Sequence, residues 1–458
     1  MKTEAPEIQT TAAQGDPPKT ASGYGPGEAP TFEFYSKCIR CGLCLNSCPT
    51  YRELGVEMDS PRGRIYQMIQ VERGRLPLSD SFVEHIDLCL DCRACETACP
   101  SGVQYGRLVE AARGQIEKHY RRPLLASLAR RAFLRGLLPH PGRLKLVGHL
   151  LGFYQRLGIE KFILNSGILK LFPGRLAEIA RLSPRIERPF FFDQLGTVHS
   201  AMGERRYRVA FFAGCIANVS FARLNDATIR VLQRNGCEVV VPAEQGCCGA
   251  LHVHAGMRDL ARELAARNIK TFLGGGFDAI ISNAAGCGSV LKEYPELFEE
   301  EHPELLEPAQ RFSRLLNDVT EFLAAIDFNR DFAVMNVRAT YQDPCHLGHA
   351  QRVRSAPRKL LAAVPGLSFV ELKESEICCG SAGIYNVAHN ELAERLLAAK
   401  MQRVEETGAE VILTANPGCL LQLRAGVARG SKPRRVLHVI ELLDEAYRAV
   451  TPSSKGAS

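Results

Sequence analysis

Cys38-Ile39-Arg40-Cys41-Gly42-Leu43-Cys44-Leu45-Asn46-Ser47-Cys48-Pro49 and Cys89-Leu90-Asp91-Cys92-Arg93-Ala94-Cys95-Glu96-Thr97-Ala98-Cys99-Pro100 share one spacing, C-x2-C-x2-C-x3-C-P. Three cysteines two residues apart let a short loop wrap three corners of an iron–sulfur cube, and leave the fourth corner for a ligand from elsewhere. Zinc sites take paired C-x2-C, or cysteine with histidine. Two such runs, each closed by proline, therefore favour iron–sulfur over zinc. Gly42 permits close backbone approach, so that N–H groups can reach cluster sulfurs. Ile39, Leu43, Leu45, Leu88 and Leu90 are expected to exclude water around these sites.

The spacing resembles that of bacterial two-cluster ferredoxins, in which the distal Cys-Pro of one run completes the cluster of the other. The resemblance implies one [4Fe–4S] cluster on Cys38, Cys41, Cys44 and Cys99, and a second on Cys89, Cys92, Cys95 and Cys48. Such crossing brings the two clusters close enough for fast electron exchange.

The chain holds 17 cysteines in 458 residues. Eight of those beyond the two runs form a repeat: Cys215, Cys247, Cys248 and Cys287 return as Cys345, Cys378, Cys379 and Cys419, at offsets of 130, 131, 131 and 132. Self-similarity of this kind points to a duplicated unit. Tyr207–Cys215, Cys237–Val241 and Asp278–Ser282 read as strands, with helices over Val219–Asn235 and Met257–Phe272. In the second half Arg338–Gln342, Leu367–Leu372 and Glu410–Thr414 read as the strands, and Leu392–Glu406 has helical spacing. Strands alternating with helices predict βαβ units and a parallel sheet in each half. Sites in such sheets form beyond the carboxyl ends of the strands. Each repeated cysteine follows a strand, so the four of a half can converge at one edge. Four thiolates suffice for a further iron–sulfur cluster or a zinc ion, and an empty site is the other reading. Cys237 has no counterpart in the repeat and reads as a buried structural thiol. His252, His254, His346 and His349 lie near these cysteines without aligning between the halves, which favours ordinary surface or loop positions over proton relays or metal ligands.

Through Cys247-Cys248-Gly249 and Cys378-Cys379-Gly380, each half resembles the CCG domain of heterodisulfide reductase and of iron–sulfur subunits of flavin-linked dehydrogenases. The C-x2-C that closes the heterodisulfide reductase pattern is missing, because Gly288-Ser289-Val290 follows Cys287 and Leu420-Leu421-Gln422 follows Cys419. Asp59–Tyr66 (DSPRGRIY), with Cys89–Tyr105, resembles the iron–sulfur subunit of glycolate oxidase, a likeness that covers residues 32–450. The resemblance implies a chain that accepts electrons from FAD-containing partner subunits, where glycolate becomes glyoxylate, and passes them towards quinone or another acceptor. D-Lactate, another 2-hydroxyacid or glycerol 3-phosphate are alternative partner substrates. A heterodisulfide-type thiol–disulfide enzyme is a different reading. Gly274-Gly275-Gly276 follows a helix and precedes a strand, the reverse of a phosphate-binding turn. Without a dinucleotide site the chain is expected to have no catalytic residue for substrate oxidation. Arg62 and Arg64 either pair with acidic groups near the clusters or a partner, or face solvent.

The net charge of +7 is concentrated in one segment. Residues 121–188 hold fourteen Lys/Arg and three Asp/Glu, a local net of +11 that leaves −4 for the rest. Leu124–Leu138 reads as a basic amphipathic helix able to lie on an anionic membrane. A core-packed connector and a dock for an acidic partner are the alternatives. Scarce aromatic residues there argue against nucleic acid. A start unlike a signal peptide and the lack of any run of ~18 apolar residues lead to a cytoplasmic expectation, peripheral at most on the inner membrane. Thiols stay free for metal in such a compartment. The predicted plan is multidomain, α+β and α/β. It comprises a disordered tail (1–31), a mainly α two-cluster ferredoxin-like domain (32–119), a basic helical connector (120–205), CCG domains over 206–330 and 331–450, and a disordered tail (451–458).

Overall fold

The computed structural model describes residues 32–166, 183–299, 302–430 and 432–450, so both tails lie outside the described residues. The helices Pro61–Glu72, Asp80–Asp87 and Tyr105–His119 bury Val71, Phe82, Ile86, Leu108, Val109 and Ile116 against one another. Local chemistry sets where they begin. Ser60 Oγ accepts the Gly63 N–H at 3.0 Å, with Pro61 at the first helical position. Ser79 Oγ accepts the Phe82 N–H at 3.3 Å. The two cysteine runs are loops hung on this small core.

The repeat folds as two sheets with one topology. The first has the order β1-β3-β2-β4-β5 and the second β7-β6-β8-β9. Here β1 is Val198–His199, β2 Tyr207–Phe212, β3 Cys237–Val240, β4 Ala279–Ser282 and β5 Leu316–Asp318. In the second half β6 is Val337–Tyr341, β7 Leu367–Phe369, β8 Val411–Thr414 and β9 Arg435–His438. All pairings are parallel except β1 with β3. The first sheet thus takes an antiparallel edge strand from the segment read as connector. The other four strands of each half match, β3-β2-β4-β5 to β7-β6-β8-β9. The match extends past β5 and β9. Asp318 with Glu321, and His438 with Glu441, each close a capping box on the helix that follows.

Those two helices lock the halves together. Val319–Ala325, from the first half, packs on Ser355–Ala362 of the second, while Val439–Arg448 packs on Ala222–Arg234 of the first. Arg230 anchors the latter contact with a two-pronged bond to Asp444, at 2.9 and 2.6 Å. The exchange is reciprocal, as a pseudo-two-fold relation between the halves requires. A single apolar core spans both sheets, from Phe211 and Val239 to Tyr341 and Ile412. This arrangement turns the carboxyl ends of β2–β4 and β6–β8 towards one another.

Candidate metal centres

The two cysteine runs have the same backbone shape. Arg40 and Gly42 in the first (φ 57° and 86°) and Asp91 and Arg93 in the second (φ 52° and 60°) are left-handed at equivalent positions. Three of the four are not glycine, so the loops hold a conformation such residues seldom adopt. Left-handed residues at this spacing turn N–H groups towards one concave side, which suits an anion. A thiolate-bound cluster is an anion of that kind, and the cradle fits it. Within the second run the Asp91 N–H lies 3.4 Å from Cys89 Sγ, and the Tyr105 hydroxyl 3.6 Å from the same sulfur.

The thiols fall into neighbourhoods. Burial pushes Cys95 well up, and the nearby Cys92, Cys48 and Cys89 push it the same way. Burial likewise raises Cys44 to about 11, opposed by the Arg62 N–H and reinforced by Cys38 and Cys48. Cys38, Cys44 and Cys99 are half-buried against one apolar core. The runs differ in exposure. Cys89, Cys92 and Cys95 are buried, whereas Cys41 is exposed. Leu90 excludes water as expected, but Ile39 and Leu43 are 70% and 60% exposed, so the first run presents an apolar rim to the outside.

Of the two arginines flanking Gly63, only one faces out. Arg62 pairs with Glu57 at 2.7 Å near the surface. Arg64 is fully buried, donating to the His85 carbonyl (2.6 Å), Thr50 Oγ1 (3.1 Å) and Asp59 (3.4 Å). Burial disfavours its charge, but Cys89, Tyr105, Cys48 and Asp59 more than restore it.

All eight repeated cysteines line one cavity of about 380 Å³, together with Cys89 and Asp91. The pseudo-two-fold packing merges what the repeat placed at two sheet edges into one space. Cys287 and Cys419 each stand third in a helix, Ala285–Lys292 and Pro417–Arg429. In the first half the Cys215 and Cys247 sulfurs are 3.4 Å apart, and those of Cys248 and Cys287 3.1 Å. Adjacent-thiol bonds and burial hold Cys215 and Cys248 well above the ordinary thiol range. The second half differs. There Cys379 accepts hydrogen bonds from Cys378 and Cys419 and lies well below that range. Cys92 of the ferredoxin-type run adjoins this half: after burial, Cys345 is the strongest influence on its thiol.

The histidines are not on the surface. His252 is fully buried, its Nε2 2.8 Å from the Leu134 carbonyl. His349 is buried between Thr97 and the Glu376 carbonyl. His254 and His346 face each other in the cavity wall, ring centroids 5.1 Å apart. His254 Nδ1 lies 3.0 Å from Asp91 and 3.6 Å from Glu110. Burial works against its charge, but these carboxylates raise it to about 10. His346, desolvated in the cavity wall and beside that cation, falls to about 4. Asp91 and Glu110 had no signal in the sequence, because their partner lies over 140 residues away. Arg113, 3.6 Å from Asp91, adds a second cation to the group. Cys237 is wholly buried in β3, its thiol raised to about 12 by burial.

Two cradled cysteine runs, the second opening on a cysteine-lined cavity between duplicated α/β halves, define an iron–sulfur electron-transfer protein. Comparison with known families agrees segment by segment. Residues 35–103 match a 4Fe-4S dicluster domain, residues 209–292 and 339–424 a cysteine-rich domain, and residues 125–183 the linker region of the glycolate oxidase iron-sulfur subunit. A probable glycolate oxidase iron-sulfur subunit of Bacillus subtilis is 41% identical, over 89% of this chain and 93% of that one. The glycolate oxidase iron-sulfur subunit of Escherichia coli is 33% identical, over 89% and 93%. Lactate utilization protein A of Bacillus licheniformis is 33% identical over 52% of this chain and 99% of its own length. The chain belongs to the family of glycolate oxidase iron–sulfur subunits.

Proposed function

We propose that the chain is the iron–sulfur electron-transfer subunit of a flavin-dependent glycolate oxidase, receiving electrons from partner flavin and passing them towards quinone. The observation that carries this reading is the succession of neighbouring thiols from Cys44 through Cys48 and the buried second run to Cys345. Cys38, Cys41, Cys44 and Cys99 hold one [4Fe–4S] cluster, and Cys89, Cys92, Cys95 and Cys48 the other. The position of Cys48 among Cys89, Cys92 and Cys95 supports that crossed assignment. When bound, each cluster supplies one-electron transfer with little change in bonding. The left-handed cradle holds the sulfurs, and Arg64 offsets negative charge beside Cys48 and Cys89. Ile39 and Leu43 around Cys41 form an apolar rim for the flavin subunit, which the depth of the second run favours as the receiving side.

The substrate is oxidised on the partner. Relatives named for glycolate match nearly the whole chain, and relatives named for lactate about half of it, so glycolate is favoured. No described helix is long and apolar enough to cross a membrane. Contact with quinone therefore calls for a surface, and the basic connector offers one. Cys92→Ser in the assembled complex tests the reading. Quinone reduction is expected to vanish while dye reduction at the flavin persists. Persisting quinone reduction would sink it.

A further inference from the structure

Two buried hydroxyls lie against sulfurs of one ligand set, that of Cys89, Cys92, Cys95 and Cys48. Tyr105 opens the helix Tyr105–His119 and is 3% exposed, its ring packed in the apolar core of the N-terminal part. Its hydroxyl donates to Cys89 Sγ at 3.6 Å. Phenylalanine would fill the same apolar space without a buried polar group to satisfy. What the hydroxyl adds at this position is the bond to sulfur. Thr50, in the helix Pro49–Leu54, is 1% exposed. Its Oγ1 lies 3.1 Å from Cys48 Sγ and 2.8 Å from the Asp59 carbonyl, and accepts from Arg64 Nη1 at 3.1 Å. Arg64 occupies a lone pair of that oxygen, which turns its one proton towards the other two atoms. A cysteine bound to iron carries no proton, so Thr50 is the donor of the pair once Cys48 is a ligand.

The other ligand set is built differently. The two cysteine runs repeat at 51 residues, which sets Leu54 opposite Tyr105 and Ser101 opposite Thr50. Leucine has no hydroxyl. Among the described residues Ser101 and Cys99 do not repeat the bond of Thr50 to Cys48. Exposure is unequal too. Cys41 is open to solvent, whereas Cys89, Cys92, Cys95 and Cys48 are all buried. Water can therefore donate to sulfurs at the outer site, and the inner site must find its donors in the chain. Burial without donors disfavours an added negative charge. An electron would then stay on the outer cluster.

We propose that Tyr105 and Thr50 tune the inner cluster, their hydroxyls donating to the Cys89 and Cys48 sulfurs so that a buried carrier can still be reduced by the exposed one. The inference rests on the electron-transfer reading above, with its crossed ligand sets, and names the residues that keep the inward step open. One electron leaves the outer cluster, which is oxidised, and reduces the inner one. No bond to the protein breaks, and both hydroxyls keep their protons. A hydrogen bond to sulfur strengthens as the sulfur gains negative charge, so both bonds favour the reduced form. Arg64 acts one step back, as the positioning residue of Thr50.

The test uses the full chain, reconstituted anaerobically with iron and sulfide, with iron counted and midpoints read by EPR-monitored titration. The inner cluster's midpoint is the one that Cys92→Ser abolishes. Tyr105→Phe is expected to keep the parental iron and to disfavour reduction of that cluster about tenfold, a shift of roughly 59 mV to more negative potential for a one-electron couple. The other midpoint should not move. Thr50→Val is expected to shift the inner midpoint the same way, and Thr50→Ser to restore it. An unchanged inner midpoint in Tyr105→Phe with its iron intact overturns the proposal, as does an equal shift of both midpoints. Iron lost from Tyr105→Phe leaves Thr50→Val against Thr50→Ser to decide by the same midpoint, and iron lost from both Tyr105→Phe and Thr50→Val assigns the hydroxyls to structure and overturns it. Each of these failures leaves the electron-transfer reading standing, which fails instead if Cys92→Ser costs no iron.

Discussion

Arg64 shows what a single residue does beneath the cysteine loops. Its guanidinium reaches three acceptors on three segments, the helix Pro49–Leu54, the turn before Pro61 and the helix Asp80–Asp87. Removing it leaves Asp59 buried with His85 as its remaining side-chain partner, 2.9 Å away. Truncating one member of such a buried group costs roughly 3–5 kcal/mol. Arg64→Met is therefore expected to destabilise the N-terminal part by about that amount, read by urea unfolding followed through the cluster absorbance. Arg64→Lys should not rescue it, since one ammonium cannot span a fork of acceptors. His254 gives a pH-dependent counterpart. Its pKa of about 10 lies above the ordinary 6.5. The native state therefore keeps a proton that the unfolded chain gives up, so this contribution to stability is complete below about pH 6.5 and lost as pH rises through about 10. Melting temperature should fall less steeply between pH 7 and 10 in His254→Gln than in the parent. Parallel slopes would show that the Asp91–His254–Glu110 group does not hold the proton.

At the scale of elements, the duplicated glycines sit in unequal surroundings. Gly249 and Gly380 are both left-handed, with φ of 82° and 87°. A Cβ at Gly249 would meet Ala261 at an ordinary 3.6 Å, but at Gly380 it would lie 2.6 Å from the Ala393 carbonyl oxygen. Alanine at either position bears about 1–2 kcal/mol of backbone strain. At Gly380 it must also displace the helix Asn390–Thr407, adding roughly 1–3 kcal/mol. Gly380→Ala should thus be the more destabilised of the pair in thermal unfolding, and equal losses would refute the difference in packing. How far such elements are legible depends on what signals them. β2, β4 and β8 are apolar runs and stand out in the sequence, and Arg258–Leu273 and Asn390–Thr407 carry helical spacing. β5 reads Leu-Asn-Asp and β1 is two residues long, so neither offers a pattern. Their place comes from neighbours in the sheet. The repeat made the eight cysteines visible as two sets of four. Their meeting in one cavity follows from the reciprocal helix packing, which no local pattern encodes.

At the scale of the whole molecule, the connector is where sequence and structure part most usefully. The sequence put the basic amphipathic face at Leu124–Leu138, and Leu124, Leu125 and Leu128 are indeed exposed there, but Arg130 turns inward, pairing with Glu117 and the Ala255 carbonyl, and Leu134 and Leu138 are buried. The longer exposed apolar face belongs to the next helix, Pro141–Arg156. On one side Leu144 and Gly148 pack against Phe190 and Val219. On the other Leu146, Leu150 and Phe153 are about 60% exposed, with Leu157 and Phe162 continuing the stripe. Arg143, Lys145, Arg156 and Lys161 accompany it. Leucine and phenylalanine beside basic residues suit the interface of an anionic bilayer. The inner side of this helix meets Val219, which shares its cluster with Cys215 of the cavity, so docking here would hold the cysteine-lined space near the membrane. Leu150→Glu with Phe153→Glu replaces exposed residues and leaves the core untouched, so the fold should survive. Recovery on vesicles containing anionic lipid is expected to fall several-fold in that variant, with dye-linked activity of the complex unchanged. Unchanged recovery would assign the stripe to a partner subunit, and loss of the partner on size-exclusion chromatography would identify that role directly.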